Sequence, residues 1–92
     1  MTLDEHYRLA DGVAIRPERF GGLVYHYHKR QLYFIHSHEL AEFVGGLTGK
    51  APLAEAIEAF RSSRGLPALT AERMVKSLSA LEKIGVLVAV RG

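Results

Sequence analysis

The chain has 92 residues, 48% of them hydrophobic, with twelve basic and ten acidic side chains and no cysteine. That length supports one small domain with a modest core, and the lack of cysteine excludes disulfides, thiolate metal sites, iron–sulfur ligation and cysteine nucleophiles, which suits a reducing, cytoplasmic setting. A formal charge of +2 falls well short of the clustered excess of a nucleic-acid binder.

Residues 1–12 interleave Asp4, Glu5, Arg8 and Asp11 with apolar neighbours, so they hold no signal-peptide core, and no later apolar run reaches membrane-spanning length. The segment ends in the turn signal Asp11-Gly12 and is expected to be a loosely held part of a single domain over residues 1–92. Val13, Ala14, Ile15 and Arg16 then form a short strand that Pro17 stops or confines to a sheet edge, because proline has no N–H for the ladder. After Gly21-Gly22, residues 23–28 and 32–36 read as a hairpin turning through Lys29-Arg30, rich in β-branched and aromatic side chains. A three-stranded antiparallel meander results. A turn of two or four residues puts Leu23, Tyr25, Leu32 and Phe34 on one face and Val24, His26, Tyr33 and Ile35 on the other. The first set is expected to face the core, so that truncating Phe34 costs more stability than truncating Tyr33. The turn itself lacks the glycine or asparagine that two-residue hairpin loops favour.

Beyond His36 the pattern becomes helical. Ser37 can cap a first helix carrying Leu40, Phe43 and Val44, ended by Gly45-Gly46. Pro52 suits the first turn of a second helix with Leu53, Ile57 and Phe60 on one face, closed by residues 62–65. Thr70 can cap a third helix striped with Met74, Leu78 and Leu81, and Gly85 ends it before an apolar tail. The fold class expected is therefore α+β and winged-helix-like: a three-stranded antiparallel N-terminal sheet followed by three helices that cover its inner face.

Two His-x-His pairs, His26/His28 and His36/His38, place imidazoles at alternate positions as a metal site would need. Under the hairpin register, however, His26 and His36 lie on opposite faces and His38 is already helical, so no ligand set converges and no metal or cofactor is assigned. Catalysis finds no support either. Ser62-Ser63 falls in a helix-terminal loop, and Glu39/Glu42 and Glu55/Glu58 have the spacing of solvated helix faces. Residues 71–87 resemble the recognition helix of winged-helix regulators, which makes DNA binding a rival reading. Only residues 86–92 remain for a wing, and Glu72 and Glu82 offset Arg73, Lys76 and Lys83.

What remains is a sheet edge. The first strand is blunted by Arg16 and Pro17, whereas Leu32, Tyr33, Phe34 and Ile35 carry neither charge nor proline. Such an edge can accept an extended peptide, or pair with its own copy in a homodimer. On the third helix Arg73, Ser77 and Ala80 form a stripe beside the apolar one, flanked by Lys76 and Ile84, with small residues that leave room and basic ones that suit an acidic guest.

The stretch from Ile15-Arg16-Pro17-Glu18-Arg19-Phe20-Gly21-Gly22 into Leu23-Val24-Tyr25-His26-Tyr27 resembles the PqqD-like peptide chaperones, the recognition elements of ribosomally made, modified peptide pathways. So do Leu32-Tyr33-Phe34-Ile35 leading into Glu39-Leu40, and Leu81-Glu82-Lys83-Ile84-Gly85-Val86-Leu87. The resemblance is closest to the mycofactocin biosynthesis branch. It implies that a precursor's leader peptide adds as a strand along Leu32, Tyr33, Phe34, Ile35 and His36, with Arg73, Lys76, Ser77, Ala80 and Ile84 as the opposing wall. It further implies a partner radical S-adenosylmethionine maturase that performs the chemistry, which this cysteine-free chain cannot.

Overall fold

The computed structural model of the chain describes residues 1–90. Its elements run β1 (His6–Leu9), β2 (Val13–Glu18), β3 (Gly21–His26), β4 (Gln31–Ile35), α1 (His38–Gly45), α2 (Leu53–Arg64), α3 (Leu69–Lys83) and β5 (Leu87–Val90). The α+β class and the antiparallel order β2-β3-β4 follow the sequence reading. The sheet arrangement departs from it, because β1 and β5 form a separate two-stranded antiparallel ribbon, pairing His6 with Val90 and Leu9 with Leu87. The expected apolar tail after Gly85 is the segment that contains β5, and the last two residues of the expected domain, Arg91 and Gly92, lie outside the described residues.

The N-terminal segment is thus not loosely held. Tyr7 is 1% exposed in the middle of the core, and its hydroxyl accepts a hydrogen bond from the Thr2 amide at 2.9 Å. The carbonyls of Leu3 and Glu5 accept from the amides of Ala54 and Leu53 at 3.0 and 2.9 Å, which satisfies donors that the first turn of α2 leaves without intrahelical partners. Polarity at positions 4, 5 and 8 concealed this, because a single buried tyrosine carries the packing of the segment.

In the hairpin, Leu23 pairs with Phe34, Val24 with Tyr33 and Tyr25 with Leu32, so residues 27–30 form a four-residue loop and the two side-chain sets are grouped as expected. Arg30 takes the left-handed conformation there, with φ 53°. The assignment of faces is reversed. Val24 and Ile35 are buried and His26 goes in with them, whereas Leu32 and Phe34 are 53% and 60% exposed. Leu23 alone of the other set is buried.

The cause is at Gly22, which alternation places on the same face as Val24 and opposite Ile35. A Cβ on Gly22 would come 2.8 Å from the Ala41 Cβ, so the missing side chain lets α1 lie directly against this face. Gly21 is equally constrained: its φ is +145°, and a Cβ there would come 2.1 Å from the Ile35 carbonyl oxygen. Both glycines are therefore packing residues as well as chain punctuation.

The core joins Val24, Ile35, Phe43, Val44, Leu53 and Ile57 to the α3 stripe of Met74, Leu78 and Leu81, closed by Val86 and Leu87. Ser37 caps α1 as expected, its Oγ accepting from the Leu40 amide at 3.1 Å. Thr70 does not cap α3, which starts one residue earlier at Leu69 with Ala68 as an N-cap that makes no side-chain bond. Ser62 and Ser63 belong to the last turn of α2 rather than to a loop, and Gly65 ends that helix in the left-handed conformation.

Ile35→Ala is expected to cost about 2–5 kcal/mol in urea unfolding, and Phe34→Ala at most about 1 kcal/mol, reversing the order that alternation alone suggests. Gly22→Ala should cost about 1–3 kcal/mol by forcing α1 off the sheet. Equal losses for Ile35→Ala and Phe34→Ala would contradict the inner face described.

Candidate functional site

β4 has β3 on one side and no strand on the other among the described residues. Its sequence, Gln-Leu-Tyr-Phe-Ile, contains no charge and no proline, so its outer row of N–H and C=O groups is open to pairing. Of the residues assigned to this edge, Leu32, Phe34 and His36 are exposed, Tyr33 is half-buried and Ile35 is in the core. On the outer face of the sheet the Phe20 ring covers one end of the strand, 5.6 Å from Phe34 and 5.4 Å from His36.

The fold brings α3 alongside this edge at two points. At the hairpin tip Lys29 Nζ donates to the Ile84 carbonyl at 3.0 Å, which ties the loop to the C-terminal end of α3. At the other end Ser37, immediately beyond β4, shares a cleft with Arg73, Met74 and Ser77. Between these points α3 presents Arg73, Lys76, Ser77 and Ala80, all exposed, and a half-buried Ile84. From Arg73 to Ile84 the helix advances roughly 16 Å at about 1.5 Å per residue, which matches the roughly 17 Å of a five-residue strand. The two walls are commensurate.

The cleft measures about 380 Å³ and is lined also by Glu39, Leu40, Leu66, Pro67 and Thr70. None of these was identified as a site residue from the sequence, where Leu40 reads as helix core and Thr70 as a helix cap; only proximity in the fold assembles them. Arg61 helps to place Leu66. Its Nη1 donates to the Leu66 carbonyl at 2.8 Å while its Nε donates to Glu58 at 2.9 Å, so one guanidinium fastens the α2–α3 loop to α2. The same hydrogen bond holds the Glu58 carboxyl below the usual carboxylate range.

Glu72 lines a different cleft, with Leu3, Ala54 and Val75, and Glu82 lies 3.2 Å from the Met1 amino group. Arg73 and Lys76 make no ion pair within the described residues, whereas Arg8, Arg16, Arg61 and Arg64 are each paired with an acid elsewhere. Arg73 is thus an exposed cation of α3, unpaired among the described residues, that lines the cleft at the end of β4.

The remaining features are weaker candidates. A larger cleft of about 480 Å³ lies between α2 and the α1–α2 loop, but its Arg64 is paired with Glu42 and lies 4.8 Å over the Phe60 ring, so the cation is already engaged. The histidines do not converge: His26 is buried, His28 sits edge-on 6.4 Å from it, His36 packs on Phe20, and His38 opens α1. No group of three or more His, Asp or Glu side chains among the described residues could hold a metal ion. No helix there is long and apolar enough to cross a membrane.

Comparison with known proteins agrees with the resemblance seen in the sequence. The model of the Peptide chaperone MftB family matches residues 6–88. Peptide chaperone MftB of Mycolicibacterium smegmatis is 43% identical over 44 residues, a match covering 48% of this chain and 43% of that protein. No solved structure matches.

Arg61→Ala is expected to lower stability by about 1 kcal/mol and to speed amide hydrogen exchange at Leu66, with Val24 and Leu78 unaffected below global unfolding. Unchanged protection at Leu66 would show that the guanidinium does not hold the loop.

Proposed function

We propose that this chain, which belongs to the Peptide chaperone MftB family, is a non-catalytic adaptor that binds the leader region of a ribosomally made precursor peptide as an added strand on β4. The observation that carries this reading is the open edge of β4 beside α3, which is tied to the hairpin tip through Lys29 and Ile84 and shares a cleft with Ser37 at the other end of the strand. Main-chain hydrogen bonds along residues 32–36 supply sequence-tolerant affinity. Arg73, Lys76, Ser77, Ala80 and Ile84 contact the alternate side chains that point inward.

The adaptor then presents its cargo to a radical S-adenosylmethionine maturase of mycofactocin-type biosynthesis, in a reducing cytoplasm. Binding both partners would raise the effective concentration of substrate at the enzyme without adding chemistry of its own. A chain with no cysteine holds no iron–sulfur cluster, so the oxidative steps belong to the partner. The added peptide would extend the β2-β3-β4 sheet and leave the β1–β5 ribbon unchanged.

Titration of the labelled chain with a synthetic precursor leader is expected to move backbone amides in residues 31–36 and 73–84 and few others. Methylating alternate amide nitrogens of the leader should weaken binding at least about tenfold in one of the two possible registers and little in the other. A leader that binds with no change along residues 31–36, or that tolerates both methylation patterns, would overturn strand addition.

A further inference from the structure

Strand addition alone does not say which peptides are accepted, since a backbone ladder reads no side chains. The cleft at the end of β4 does. Its floor is apolar, formed by Leu40, Leu66 and the buried Met74, and its volume of about 380 Å³ lies within the roughly 300–1,000 Å³ typical of ligand sites. A strand laid along β4 toward Ser37 runs directly into it. Methionine is the most adaptable core side chain, so this floor can mould to differently shaped apolar groups.

The rim is polar and asymmetric. Arg73 stands on the α3 side with no acid of the chain paired to it among the described residues, and Glu39 stands on the α1 side. A guest carboxylate is therefore attracted to the α3 side and repelled from the α1 side, which also fixes the side of the strand on which it must fall. On the outer face, residues of the guest that point away from α3 come beside Leu32 and Phe34, whose exposure they would reduce.

From these observations we infer that the cleft between α1 and α3 is an anchor subsite selecting an acidic, amphipathic strand. One apolar side chain of the guest fills the floor over Leu40, Leu66 and Met74, and a carboxylate within two residues of it pairs with Arg73. Outward positions beside Leu32 and Phe34 are apolar. This specificity rests on strand addition at β4, and it adds a residue code to that reading.

Selection of a random-peptide display library on the immobilised full chain tests it. The expected result is enrichment of segments in which an acid lies within two residues of an apolar anchor, and their binding should shift the amides of β4 and of Leu66. Arg73→Glu, an exposed change whose folding is checked by its melting curve, should weaken these peptides roughly tenfold or more and move the selected neighbour of the anchor from acidic to basic. Peptides that shift the β4 amides but show no acidic preference, or a preference unaltered by Arg73→Glu, would overturn the anchor subsite and leave strand addition standing. Enriched peptides that never perturb β4, or no enrichment at all, would overturn strand addition and the subsite with it.

Discussion

The contact between α1 and the sheet at Gly22 and Ala41 is the constraint on which the rest of the architecture depends. Both faces of the hairpin are apolar enough to be buried, so hydrophobicity does not choose between them. A helix can approach only where no side chain intervenes, and Gly22 offers that opening on the face of Val24 and Ile35. Once α1 is seated there, Leu32 and Phe34 must point outward, and α3 completes the same inner layer from the other side through Met74, Leu78 and Leu81. The strand order makes β4 an edge, and this packing choice decides which of its side chains face inward.

The groove is held open by contacts that are mostly long-range in sequence. Lys29 reaches Ile84 across fifty-five residues, and the β1–β5 ribbon joins the two ends of the described chain. In a domain of this size the hydrophobic core is modest, and such cross-links between elements make its stability cooperative. The α2–α3 loop is treated differently, held by the Arg61–Glu58 brace and the left-handed Gly65. A pinned loop beside the β4 edge would leave little of the receptor to be ordered on binding, which favours the strand addition proposed above.

Membership of the Peptide chaperone MftB family and the geometry of β4 lead to the same place from independent directions. The family match says what kind of partner to expect. The β4 edge is what suggests a place for such a partner, because an unprotected strand is a hazard that natural sheets normally blunt with lysine or proline. β2 has that protection in Arg16 and Pro17, and β4 does not. The contrast within one sheet is a stronger argument than either strand alone.

Element identity was legible in the sequence because local signals decide it: alternation and aromatic content for β2, β3 and β4, the Ser37 cap for α1, and the heptad-like stripe of Met74, Leu78 and Leu81 for α3. The uncharged edge was legible for the same reason. Three things were not. The buried role of Tyr7 requires β5 to pair with β1 from the far end of the chain, the inward face of the hairpin requires α1 to find Gly22, and the cleft of Leu40, Leu66 and Arg73 requires three elements to meet. Sequence by itself determined the three strands of the meander, the three helices and which edge lacks protection, because those depend on neighbours along the chain; the β1–β5 ribbon joins segments too far apart for that. Tertiary structure alone decided which face is buried and which side chains converge beside that edge, because both depend on the close approach of backbones that are distant in sequence.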